Sequence, residues 1–273
     1  MLINGNNNII TAPNIILERT SKRMSDFIDA ADDSNNIKGN NNLLQAIRVF
    51  DNIMETNGVY PYILAFYPMI GGTAFSHKFN FMNPSLYPIF WDTGYVHSLA
   101  GVKSNGILGS ISYIPINFTD LVYNNTHLLF GELESVLSQG VSVGFVDAGV
   151  TSVNRFLIHS RFTDGKNYSD HYSGTTNRMS YDNDPSLGVY LTQRSSATYA
   201  ETRKNGIIQG TTLNTAVGNP TSQLRIANAY AINNNFYYNG LFSGIGVGSS
   251  MPNSQAFAYS NAVNIMLKIC GKK

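Results

Sequence analysis

The side chains with the most chemical promise lie in one short stretch, Gly71-Gly72-Thr73 followed by His77-Lys78. Paired glycines with a threonine can cradle phosphate. A phosphate loop, however, needs four residues between its glycines and then Gly-Lys-Ser/Thr opening a helix. None of that follows Gly72, so the run reads as a tight loop. The neutral imidazole of His77 can ligate a metal or accept a proton. His97, His127, His159 and His171 stand without the close spacing of a chelating motif, and Cys270 is the one thiol. The expectation is that His77 fixes its own loop by a hydrogen bond and that no metal is held.

Carboxylates give a second possibility. Glycan hydrolysis uses two of them flanking the scissile bond. Glu132 and Glu134 are the best pair, on one face if 128–137 is a strand. Two solvent-facing strand residues show the same spacing. Asp182-Asn183-Asp184 offers oxygens to calcium but lacks the glycine and distal glutamate of an EF-hand, so it reads as a turn before Pro185. In the stretch 230–238, Tyr230, Asn233, Asn234, Phe236 and Tyr237 combine aromatic faces with amides that donate and accept. That combination suits contact with a glycan or with another protein. Arg19, Lys22 and Arg23 form a small basic cluster suited to acidic groups on a neighbour. No set completes a catalytic constellation, so the chain reads as non-enzymatic and without a cofactor.

Composition sets the background. Of 273 residues only 13% are charged, and the net charge is +1. No basic field exists to gather nucleic acid or an anionic membrane. Neutral polarity takes its place: 33 asparagines and 24 glycines, which suit turns, beside 16 tyrosines and 15 phenylalanines, which suit pleated strands. A single cysteine cannot form an internal disulfide, no stretch reaches the ~20 apolar residues of a membrane span, and residues 1–5 lack signal-peptide character. Folding in a reducing cytosol is expected.

The elements that must position these groups are two helices and many short strands. Residues 1–24 are polar and aperiodic, an arm for attachment. Residues 25–58 read as a helical cap, in which Leu43, Ile47, Phe50 and Met54 share one face, Asn41 or Asn42 caps the start and Gly58 follows the end. From residue 59 the period becomes that of strands. Ile63-Leu64-Ala65-Phe66-Tyr67-Pro68 is a buried strand ended by proline, and further strands are expected at 106–113, 127–132, 141–146, 155–159, 186–192, 198–203, 206–209, 223–228 and 238–247. Asn205-Gly206 has the chemistry of a two-residue type I′ hairpin turn. Residues 253–269 return to helical period, with Asn253 or Ser254 as cap and Lys268, Lys272 and Lys273 near the helix's negative end. Strands do not alternate with crossover helices. The fold class is therefore mainly β, an antiparallel sandwich.

Three passages carry a resemblance. The first is Tyr67-Pro68-Met69-Ile70-Gly71-Gly72-Thr73-Ala74-Phe75-Ser76-His77-Lys78-Phe79-Asn80, with Asn83-Pro84 after it. The second is Arg203-Lys204-Asn205-Gly206 with Leu224-Arg225-Ile226-Ala227 later. The third runs from Tyr237-Tyr238 through Phe242-Ser243-Gly244-Ile245-Gly246-Val247-Gly248 to Ala258-Tyr259-Ser260-Asn261-Ala262-Val263-Asn264-Ile265. Together they resemble a concanavalin-A-like or laminin-G-like domain of phage structural proteins, over about residues 25–273. The resemblance implies a jelly-roll sandwich and a place in the virion, made in the host bacterial cytoplasm. It implies capsid, portal, tail or fibre subunits as partners and a surface of the kind that holds host glycans. A receptor module that binds or cleaves glycans is the alternative it leaves open.

Overall fold

A computed structural model describes residues 2–3, 9–10, 20–105, 112–146, 154–172, 178–216, 218, 220–228 and 237–272. Its strands, in chain order, are β1 (Leu2–Ile3), β2 (Ile9–Ile10), β3 (Ile63–Tyr67), β4 (Tyr95–Ser98), β5 (Gly101–Ser104), β6 (Ser112–Asn117), β7 (Thr126–Glu132) and β8 (Val143–Val146). They continue as β9 (Arg155–His159), β10 (Lys166–His171), β11 (Met179–Asp182), β12 (Gly188–Ser196), β13 (Tyr199–Lys204), β14 (Ile207–Thr212), β15 (Gln223–Ile226) and β16 (Leu241–Gly248). The helices are α1 (Lys22–Ala31), α2 (Asn41–Thr56), α3 (Ala74–His77) and α4 (Asn253–Ile269).

Apart from the short β1–β2 pair, the strands form two antiparallel sheets. One has six strands in the order β11-β10-β9-β8-β15-β6. The other has eight, β14-β13-β12-β7-β16-β5-β4, with β3 pairing β16 beside β5. One apolar layer lies between the sheets, including Leu128, Phe130, Phe145, Phe156, Ile158, Leu224, Phe242 and Ile245. A second lies between the eight-stranded sheet and the helices, including Phe27, Phe50, Phe66, Leu129, Tyr259 and Met266. The molecule is thus a sandwich with helices on one outer face, as expected for the fold class. Among the described residues no helix is long and apolar enough to cross a membrane.

The helices form where their periodicity requires. Leu43, Ile47, Phe50 and Met54 all face the core, and the Asn40 side chain caps α2 by accepting from the Asn42 and Leu43 N–H groups. The cap lies one residue before the expected pair. α1 begins at Lys22 with Ser21 as its cap, so the helical unit starts three residues earlier than the expected 25; Met24 is buried in it. α4 has the expected bounds, but its N-cap position is Pro252 and no side chain caps it. Asn253 is occupied elsewhere, accepting from Arg203 Nη2 at 2.5 Å. Lys272 does not face solvent beyond the helix end. Its ammonium turns inward to the Met69 carbonyl at 2.8 Å and Ser243 Oγ at 2.9 Å, and burial lowers its pKa to about 8.

Six strands escaped the sequence reading: β1, β2, β4, β5, β10 and β11. In β10 the reason is plain. Its inward residues are Asn167, Ser169 and His171, and each hydrogen-bonds a polar group, although His171 Nδ1 has no hydrogen-bond partner. Ser169 Oγ meets Thr202 Oγ1 at 3.1 Å, and His171 Nε2 meets Thr192 Oγ1 at 2.6 Å. The strand expected at 106–113 is β6, beginning at Ser112, and 106–111 lie outside the described residues.

Candidate functional site

The loop after β3 is built by backbone conformations that most residues avoid. Met69, Gly71 and Gly72 have φ of +51°, +97° and +82°. A Cβ at Gly71 would stand 2.6 Å from Ser76 Oγ, so glycine is needed for space as well. Thr73 then caps α3 in a reciprocal box with Ser76. The Gly72 N–H donates to His77 Nε2 at 3.1 Å, which leaves the His77 proton on Nδ1, directed at His97 Nδ1 3.0 Å away. Burial, with the Lys272 and His97 charges nearby, lowers the His77 pKa to about 2. His77 is therefore a neutral strut. The Lys78 ammonium sits 4.4 Å from the Phe75 ring and 5.1 Å from that of Phe79, so it rests on aromatic faces.

This loop and the segment after it carry an aromatic cleft of about 400 Å³, lined by Ala74, Phe75, Lys78, Pro88, Ile89, Phe90 and Trp91. Phe75 is 44% and Phe90 49% exposed, and Phe90 stacks on Tyr113 with centroids 5.1 Å apart. Trp91 packs edge-on to His97 at 4.8 Å. Val96 on β4 and Leu99, which abuts Gly72, are also exposed. Sequence reasoning singled out the loop but not this apolar surface. The signal was the chain's only tryptophan beside a phenylalanine, just after Pro88.

The carboxylate pair does not meet. Glu132 and Glu134 were read as surface neighbours, yet Glu132 is fully buried between the sheets because β7 is covered on both faces. Its Oε1 accepts from Tyr238, and burial raises its pKa to about 7. Glu134 lies at the surface, paired with Lys103 at 2.8 Å. Asp184 pairs with Arg161 at 2.9 Å, and Asn183 donates inward to the Ser160 carbonyl and to Tyr190 Oη. His127, His159 and His171 are buried apart, and among the described residues no three His, Cys, Asp or Glu side chains are grouped to hold a metal.

Lys22 pairs with Asp26 at 2.6 Å, and the Arg23 guanidinium lies 3.6 Å from the Tyr60 ring centre. Both therefore belong to the folded helical unit and not to a preceding arm. Arg19, Tyr230, Asn233, Asn234 and Phe236 lie outside the described residues. Tyr237 bridges Val141 and Asn228, and its carbonyl accepts from Ser138 Oγ at 2.8 Å. Asn205 and Gly206 have φ of +53° and +84° and join β13 to β14 as a two-residue turn.

No family model matches the chain, and no curated protein matches it by sequence. Solved structures do resemble it in fold. One is domain 4 of a GH43 extracellular arabinanase from Geobacillus stearothermophilus, in complex with arabinotriose. It is 12% identical with a TM-score of 0.50, and the match covers 73% of this chain and 98% of that domain. Another is Trypanosoma rangeli sialidase in complex with 2,3-difluorosialic acid, 10% identical with a TM-score of 0.53; the match covers 81% of this chain and 39% of the sialidase. The chain thus spans about two fifths of the sialidase's length and nearly all of the arabinanase domain. What they share with this chain is the β-sandwich, and a sandwich by itself fixes no activity.

Proposed function

We propose that this chain is a non-enzymatic structural protein of a bacteriophage virion, an auxiliary or decorating component of head or tail, attached by its N-terminal arm together with a surface of the sandwich that docks on neighbouring subunits. The observation that carries the docking role is the apolar surface around residues 75–99. Phe75 and Phe90 are exposed there and line an aromatic cleft. Apolar groups gathered in this way mark contact sites on proteins that are otherwise polar outside. The resemblance of the three sequence passages supplies the virion setting, with capsid, portal, tail or fibre subunits as partners. The separation of Glu132 from Glu134 supports the non-enzymatic part. Imaging of virions labelled with an antibody to this chain tests the reading: regular decoration of head or tail is expected, and unlabelled particles would sink it.

A second reading, a glycan-binding receptor module, is favoured by the fold shared with the arabinanase domain that holds arabinotriose. A glycan array paired with a reducing-sugar assay separates binding from cleavage. Sugar release by the purified chain would overturn the non-enzymatic part of both readings.

A further inference from the structure

The outward face of α4 carries a polar stripe unlike the apolar surface at 75–99. Asn253, Phe257, Asn261, Asn264 and Lys268 follow one another at spacings of four, four, three and four, which stacks them along one side of the helix. From Asn253 to Lys268 the stripe is about 22 Å long at 1.5 Å per residue. Two clefts of about 500 and 490 Å³ flank it. The first, toward α2, is lined by Ile53, Asn57, Ser254 and Phe257 among others. The second, toward the hairpin tip, is lined by Leu187, Asn205, Asn264, Lys268 and Lys272 among others. Asn261 lines both, so the two clefts adjoin at this residue and are taken together as the α4 groove.

The chemistry of this groove is specific. Its polar atoms are mainly side-chain amides, which can donate to and accept from hydroxyl groups; those of Asn57, Asn205, Asn253 and Asn264 already hold partners within the protein. Asn261 at the crossing point makes no side-chain hydrogen bond within the described structure and is free to bind. Phe257 is 52% exposed and braced from behind by the hairpin turn, so it offers a fixed apolar face to the C–H side of a sugar ring. No carboxylate lines either cleft, and Lys268 stands exposed at one end. The charge complement is an anion at that end. Lys272 adds positive potential from below, its ammonium held by Met69 and Ser243.

We propose that the α4 groove binds a carboxylate-bearing oligosaccharide, with a hydroxyl on the amide of Asn261, one ring against Phe257 and the carboxylate at Lys268. This rests on the glycan-binding reading and names its site and ligand class. The test presents the full chain with uronic-acid and sialic-acid oligosaccharides beside their neutral counterparts, then titrates the best binder. Preference for acidic members is expected, weakening as salt is raised. Asn261→Leu and Lys268→Glu should each weaken binding about tenfold or more, the scale of one lost charged or well-placed hydrogen bond. The same charge change in β10, Lys166→Glu, should leave it intact. Both substitutions lie on the outer stripe, and melting curves verify that each variant is folded; Lys268→Glu alone suffices if Asn261→Leu is not. Acidic-sugar binding that survives in folded variants overturns this site while the glycan reading stands. Equal binding of neutral and acidic chains overturns the ligand class, and no binding to any sugar removes both.

Discussion

The Tyr238 hydroxyl donates to Oε1 of Glu132 at 2.9 Å, inside the layer that joins the two sheets. Glu132 Oε2 makes no hydrogen bond, and Tyr181, Tyr190, Ser160 and Ser186 surround the carboxyl. Lys204, which donates to the Asn183 side chain, is the nearby cation. A carboxyl in such a place keeps its proton longer than in water.

The first prediction follows from that. Burial holds the folded pKa of Glu132 at about 7 against 4.5 for an ordinary glutamate. Below 4.5 the group is protonated folded or unfolded and carries no ionic penalty. As pH rises to 7 the unfolded state loses its proton first, and stability falls across that window by about 3 kcal/mol. Glu132→Gln removes this dependence. Urea unfolding at a series of pH values should show the variant gaining on wild type between pH 4.5 and 7, and parallel curves would refute it.

The buried histidines act in the opposite direction. Burial lowers His127 and His159 to about 4 and His77 to about 2, from 6.5. Each is neutral in the fold, so its contribution is complete above pH 6.5 and shrinks as acid protonates the unfolded chain, by about 1.4 kcal/mol per pH unit. Acid unfolding should therefore be steep below pH 6.5. His127→Gln should make it shallower by roughly one proton, measured from the pH dependence of the unfolding free energy. An unchanged slope would show that His127 is charged in the fold.

Gly206→Val should destabilise the protein. A β-branched residue at φ +84° is strained, on the order of 1–3 kcal/mol, and its Cβ would stand 2.8 Å from the Phe257 ring. A melting temperature equal to wild type would contradict the strained turn.

Two truncations test where the attachment arm ends. Removing residues 1–19 leaves Ser21, whose side chain accepts from the Met24 N–H at 3.1 Å, and should give a domain that melts normally but no longer joins particles. Removing 1–24 takes the cap, the Arg23 contact with Tyr60 and the buried Met24, at a cost of several kcal/mol. If both melt alike, α1 contributes nothing to the core. If the shorter truncation still assembles at normal copy number, attachment lies elsewhere.

These cases also show what the sequence could reveal. The faces of α2 and α4 were legible because apolar residues recur at helical spacing and each helix has one wet side. The turn at Asn205-Gly206 was legible because its chemistry is local. β7 was misread at Glu132 because alternation marks a wet face only when one exists, and this strand is dry on both. β10 was missed because its buried side is polar and its partners, Thr192 and Thr202, lie in the opposite sheet. The cap of α4 depended on Arg203, 50 residues away, claiming Asn253. Such contacts belong to tertiary structure, and so does the aromatic cleft, whose walls come from both sides of a loop.

The Asn205-Gly206 turn has one more consequence. Its side-chain oxygen accepts from the Val189 N–H at 2.9 Å and from Asn264 Nδ2 at 3.1 Å, so one amide ties strand, turn and helix together. An asparagine before glycine is also where a backbone nitrogen most readily attacks the side-chain carbonyl, ageing the residue to aspartate or isoaspartate. Holding that oxygen from two sides restrains the reaction while the fold is intact. Once it occurs, a negative charge enters the groove beside Lys268, and the isoaspartate form adds a backbone methylene that a two-residue turn cannot hold. Chemical age would then be written into this molecule at the hinge between its hairpin and its last helix.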